Sequence, residues 1–134
     1  MQSIVRQFAI AAFSLAAFSA AHAADDAADA AKNRADAQYK AAMERCEPLK
    51  GNAQDVCEKE AKAARDKTKA DVSAATKGTA ESRADAGETK AKADYKVAME
   101  RCESLKGKDQ DACESKAKAV LDQGQADADK RRAN

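Results

Sequence analysis

The sequence predicts an all-α fold of two tandem disulfide-stapled helical hairpins behind a cleaved signal peptide, and three observations predict it. Tyr39 to Asp66, YKAAMERCEPLKGNAQDVCEKEAKAARD, recurs 56 positions later as Tyr95 to Asp122, YKVAMERCESLKGKDQDACESKAKAVLD. Each copy places one cysteine before and one after a central Leu-Lys-Gly turn. Outside the turns, strong helix formers dominate, and opposite charges fall four residues apart, where they meet on one helix face.

The N-terminal segment reads as an export signal. Met1 to Gln7 carries one positive charge, Arg6; Phe8 to Ala20, FAIAAFSLAAFSA, is apolar; Ala21-His22-Ala23 fits a small-x-small peptidase site. The predicted cut lies between Ala23 and Ala24. The apolar run is too short for a bilayer, which needs about 20 apolar residues, and no lipoprotein cysteine follows it. A periplasmic or secreted location is therefore expected, with no membrane span in the mature chain.

Cleavage changes what is left to fold. Phe8, Phe13, Phe18, Ile4, Ile10 and the only histidine, His22, leave with the signal. Arg6 leaves too, and the basic residues that remain balance the 23 acids. The overall 44% hydrophobic content is then mostly signal segment and alanine, with a few Leu, Val, Met and Tyr residues. Burying a Leu or Val is worth about 1.5–3 kcal/mol, against about 1–2 kcal/mol of backbone entropy per ordered residue. So sparse a core calls for staples. The four cysteines supply them in a compartment where disulfides persist.

Along the mature chain, 24–66 reads as the first hairpin. Ala24 to Gln38 is helix-forming, with early acids Asp25, Asp26 and Asp29 favouring a helix N-terminus. Lys32, Asp36, Lys40 and Glu44 alternate in sign on one face, beside an apolar stripe of Tyr39, Met43 and Cys46. Pro48 ends the helix and Gly51 closes the turn. Asn52 reads as the next N-cap, with Asp55 completing a capping-box-like pair. Val56, Cys57, Ala61 and Ala64 share the return face, and Glu58 is spaced to pair with Lys62.

Residues 67–88 read as a polar linker: helix, a break near Lys77-Gly78, then a helix restarted by Thr79 or Ser82. A continuous helix and a disordered linker fit the same residues. Residues 89–122 repeat the hairpin, with Tyr95, Met99 and Cys102 forming the apolar stripe, Gly107 the turn, and Ala112, Cys113, Ala117 and Val120 the return face. Ser104 replaces Pro48 and Lys108 replaces Asn52, so this turn is less strongly capped. The tail, 123–134, is polar and expected to fray. Tyr39 and Tyr95 are expected to pack on their own hairpins. The hairpins can pack on each other into a loose four-helix array, or their stripes can pair between chains.

The cysteines lie almost symmetrically about each turn, so an antiparallel helix pair brings them face to face. Four cysteines allow three connectivities. One pair per repeat, at a reachable separation, favours Cys46–Cys57 and Cys102–Cys113.

The two copies share the pattern Y-K-x-A-x-E-x-C-[DE]-x-L-x-G-x-x-[KQ]-D-x-C-x-x-x-A-K-A, from Tyr39 to Ala63 and from Tyr95 to Ala119. In this the chain resembles a group of small Ala/Lys/Asp-rich exported bacterial proteins, sometimes labelled as like the cell-envelope protein TolA. The resemblance implies export and helical architecture and carries no reaction with it. The spacing is also similar to the twin C-x9-C hairpins of mitochondrial intermembrane proteins, but here it is C-x10-C behind a bacterial-style signal, and no function is carried over.

Most reaction classes find no support. Redox enzymes use C-x-x-C at a helix start, and zinc sites draw on histidine; the mature chain has neither. No phosphate-binding glycine loop, Ser/His/Asp set or H-E-x-x-H is present. A chain so poor in large side chains encloses no dry pocket for acid–base work. Mixed charges without net excess disfavour nucleic acid. No catalytic, cofactor or metal residue is assigned and no enzyme is expected. The expected function is a non-enzymatic cell-envelope scaffold, spacer or interaction module, with an envelope protein or a second copy as partner. The alternatives are a hydrophilic stress protectant and a thiol or soft-metal binder.

Overall fold

Three glycines mark where the chain reverses. Gly51, Gly78 and Gly107 have φ of 58°, 66° and 56°, a left-handed conformation that side chains with a Cβ resist. The computed structural model describes residues 17–133, with side chains from residue 23 onward. Among the described residues four helices run between these turns: α1, Ala17–Cys46; α2, Asn52–Lys77; α3, Ala80–Cys102; α4, Gly107–Arg132. The fold is all-α, with two disulfide-stapled hairpins.

Most of the segment assigned to the signal peptide lies outside the described residues. From Ala17 the chain is already α1, which runs through the predicted cut after Ala23. Ala23 to Ala27 are exposed, and the first buried side chain of α1 is Ala35.

The two hairpin turns share one construction. The Leu49 amide donates to the Cys46 carbonyl at 3.0 Å, and the Leu105 amide to the Cys102 carbonyl at 2.9 Å. Where the second copy lacks proline, the Ser104 hydroxyl donates to the Arg101 carbonyl at 2.9 Å and satisfies a helix-end acceptor. Residues 67–88 hold the end of α2 and the start of α3. Gly78 is the left-handed C-cap of α2, its amide bonded to the Ala74 carbonyl. Thr79 is the N-cap of α3: its hydroxyl accepts from the Ser82 amide at 3.0 Å, while the Ser82 hydroxyl accepts from the Thr79 amide at 3.2 Å. Both restart candidates thus act together, as the two halves of one capping box.

Among the described residues each helix packs only on its neighbours in the chain: α1 on α2, α2 on α3, α3 on α4. Among the described residues nothing closes the row between α1 and α4. The hairpins form an open single layer, not a bundle around a central core.

The seams are lined by alanine. Ala35, Ala61, Ala63, Ala74, Ala84, Ala86, Ala93, Ala117 and Ala128 are buried, together with Val97, Cys46 and Cys102. The large residues contribute less than their stripes suggest. Tyr39, Met43, Tyr95 and Met99 are only half-buried. On the return faces Ala63, not Ala64, is buried, and Val120 is 64% exposed. A single-layer row offers each helix two narrow contact lines at most, so bulky side chains stay at the rims.

The tail does not fray as its polarity suggests. It forms the last turns of α4, with Ala128 fully buried. Glycine allows close approach there: a Cβ on Gly124 would stand 2.5 Å from the Ala91 Cβ, and one on Gly87 would stand 2.7 Å from an Arg131 guanidinium nitrogen. The two positions should respond differently to alanine. Gly124→Ala forces α3 and α4 apart, because the Ala91 methyl cannot turn away. Overpacking of this kind costs about 1–3 kcal/mol, more than the roughly 1 kcal/mol gained in helix propensity. Gly87→Ala meets only the mobile end of an arginine and should be neutral or stabilising. Chemical denaturation of the two variants checks the contrast.

Candidate functional site

The four cysteines form Cys46–Cys57 and Cys102–Cys113, with Cα–Cα separations of 5.6 Å in both bridges. None is free. Cys46 and Cys102 have no exposed surface, while Cys57 and Cys113 are half-buried. In this state none of them offers a thiolate. Each bridge pins its hairpin close to the turn and fixes the register of everything beyond it.

Beyond the bridges, charge sets the register. Asp36 accepts two hydrogen bonds of 2.8 Å from the Lys69 ammonium, joining α1 to α2. Between α2 and α3 run Lys67–Asp94 at 2.7 Å, Lys90–Asp71 at 2.7 Å, Lys59–Glu100 at 3.5 Å, and Arg101–Glu60. Between α3 and α4, Arg132 donates to Asp85 and Glu88, each at 2.8 Å. These pairs cross the seams where sequence spacing places them along single faces. Asp36 goes to Lys69, not to Lys32 or Lys40, and Lys62 turns to Asp66, leaving Glu58 to accept from Gln54.

Asn52 does not cap its own helix. Gly51 holds the N-cap position of α2 without a side-chain bond. The Asn52 amide instead donates to the Glu100 carbonyl at 2.7 Å, satisfying a backbone acceptor in the last turn of α3. The first hairpin thereby caps the second.

The local electrostatics follow the pairs. Arg132, then Lys92, holds the Glu88 carboxyl down at about 2. Lys69 lowers Asp36, chiefly through the hydrogen bonds. Gln123, as hydrogen-bond donor, lowers Asp127. Asp66 raises the Arg65 guanidinium, and Asp85 leads in raising Arg132. Glu88 is depressed from 4.5, so its contribution is present above that pH and disappears as pH falls through about 2. Thermal melts at pH 2 and pH 6 should therefore differ less in Glu88→Gln than in the parent.

The grooves along the row are shallow. Arg65 stacks over the Tyr39 ring at 4.3 Å, a cation–π contact that shields it. The second copy has Leu121 in place of Arg65, and its groove between α3 and α4 is apolar, lined by Tyr95, Ala98, Ala117 and Val120 with Arg101 and Lys116 at the rim. Among the described residues no three His, Cys, Asp or Glu side chains converge to hold a metal ion, and no helix is long and apolar enough to cross a membrane.

The cysteines are the predicted site residues, and the structure brings them together as the two expected pairs. Spacing along single helix faces does not announce the inter-helix charge ladder, the reach of Asn52 to α3 or the α3–α4 seam. Their signal lies in mirror spacing: Lys67 and Asp94, Asp71 and Lys90, and Glu60 and Arg101 are each symmetric about one point, between Ala80 and Glu81 at the start of α3. No family model, no curated protein and no solved structure matches the chain.

Proposed function

We propose that the chain is an exported, non-enzymatic protein of the bacterial cell envelope that works as a rigid helical scaffold or spacer. The open row carries this reading: two stapled hairpins locked to each other, with the outer faces of α1 and α4 left to meet something else. Two disulfides in a chain with so small a core favour an oxidising compartment, and the N-terminal pattern favours export. The charge ladders tie helix to helix, which suits a part whose task is to hold a shape.

Cell fractionation with intact-mass measurement tests the location. The expected product starts at Ala24, sits in the periplasmic fraction and takes up no thiol-blocking reagent. A full-length cytoplasmic product with reactive thiols contradicts it. Cross-linking in intact cells tests the role: a scaffold yields discrete adducts, whereas a stress protectant yields none that recur.

A further inference from the structure

We infer that copies of this chain stack head to tail, the outer face of α4 on the outer face of α1 of the next copy, repeating the seam that joins α2 to α3. Because the sequence repeats, α4 is the counterpart of α2, and α1 the counterpart of α3. The α2–α3 seam is occupied within the chain, and among the described residues nothing occupies the equivalent α4 and α1 faces.

The residues correspond position by position. At the α2–α3 seam Ala63 packs with Ala93 and Val97. Their counterparts are Ala119 on α4 and Ala37 and Ala41 on α1, all exposed. The charges correspond as well. Asp71–Lys90 becomes Asp127 facing Arg34, still opposite in sign. Asn52 capping the Glu100 carbonyl becomes Lys108 beside Glu44, again complementary. Lys67–Asp94 becomes Gln123 facing Gln38, a neutral pair able to hydrogen-bond. One rung opposes, Glu60–Arg101 becoming Lys116 facing Arg45, and one loses its cation, Lys59–Glu100 becoming Ser115 facing Glu44. With that repulsion, and with alanine where the internal seam has Val97, stacking is weaker than the internal seam and depends on concentration and salt. The contact joins two different surfaces, so it propagates instead of closing on itself.

The inference gives the scaffold reading a partner and rests on that reading only for its biological use; association is measured on purified mature chain, apart from location. Sedimentation at rising concentration should show reversible self-association. Asp127→Arg and Arg34→Asp should each weaken it on the order of tenfold, and the double variant should restore it. Lys116→Glu recreates the internal Glu60–Arg101 rung and should tighten association. Ala119→Glu blocks one face and Ala37→Glu the other, and a mixture of the two should stop at dimers. These positions other than Asp127 are exposed, and circular dichroism confirms that each variant is folded. A chain that stays monomeric at its solubility limit even with Lys116→Glu overturns the inference. So does association unmoved by Asp127→Arg and Arg34→Asp. In either case the fractionation outcome still decides the envelope assignment.

Discussion

Removing either disulfide is expected to cost the mature chain about 3 kcal/mol, and removing both to leave it largely unfolded. The figure comes from the loop each bridge closes, between cysteines 11 apart in sequence. A small domain has about 5–15 kcal/mol in total, and this one draws on alanine seams and mostly exposed ion pairs. Such pairs give about 0–1 kcal/mol each. Cys46→Ser also places a hydroxyl where the side chain has no exposed surface, so Cys57→Ser is the cleaner probe of the first bridge. Urea unfolding followed by circular dichroism, with and without reductant, measures the effect. Unchanged melting on reduction contradicts the staple.

The second large effect is expected at Val97. It is the one large aliphatic side chain buried at the α2–α3 seam, 8% exposed against Ala63 and Ala93. Val97→Asp removes that contact and places a carboxylate on the helix face already carrying Asp94 and Glu100. Loss of apolar burial and the cost of a poorly solvated charge together come to on the order of 3 kcal/mol. The bridges survive the substitution, so the expected result is two stapled hairpins that no longer unfold as one unit. Calorimetry should show a lowered, broadened transition with both disulfides intact by mass. A single sharp transition near the parental temperature contradicts the coupling assigned to this seam.

How far residues announce structure varies along the chain. Turns were legible because backbone chemistry is local: Gly51, Gly78 and Gly107 sit where the chain reverses, and Thr79 with Ser82 restarts α3. The disulfide pairing was legible because each cysteine pair brackets one turn. What a side chain meets on another helix was harder to see. Asn52 looks like an N-cap by its neighbours, yet its amide is drawn to the Glu100 carbonyl at the far end of the next helix, 48 residues on. Asp36 has cations four residues away on both sides and takes the one on α2. The α3–α4 seam was hidden for a different reason. It is made of Ala84, Gly87, Ala91, Gly124 and Ala128, whose small size permits close approach but leaves no hydropathy signal. The tail reads as polar because the buried line within it is one alanine wide. The tyrosines mislead in the opposite sense, since size suggests a core that a one-layer row does not have.

Among the described residues the hairpins form an open row that leaves the outer faces of α1 and α4 uncovered. The distance between those helices tests it most directly. Spin labels carried on unnatural amino acids, which spare the cysteines, can be placed at Gln38 on α1 and Gln123 on α4 and measured by pulsed dipolar spectroscopy in dilute solution. Packed helices sit about 8–10 Å apart, so three steps along the row predict a separation of roughly 25–30 Å or more. A distance of about 10–15 Å, one helix step with the label arms, would mean that α1 and α4 touch and the row is closed into a bundle.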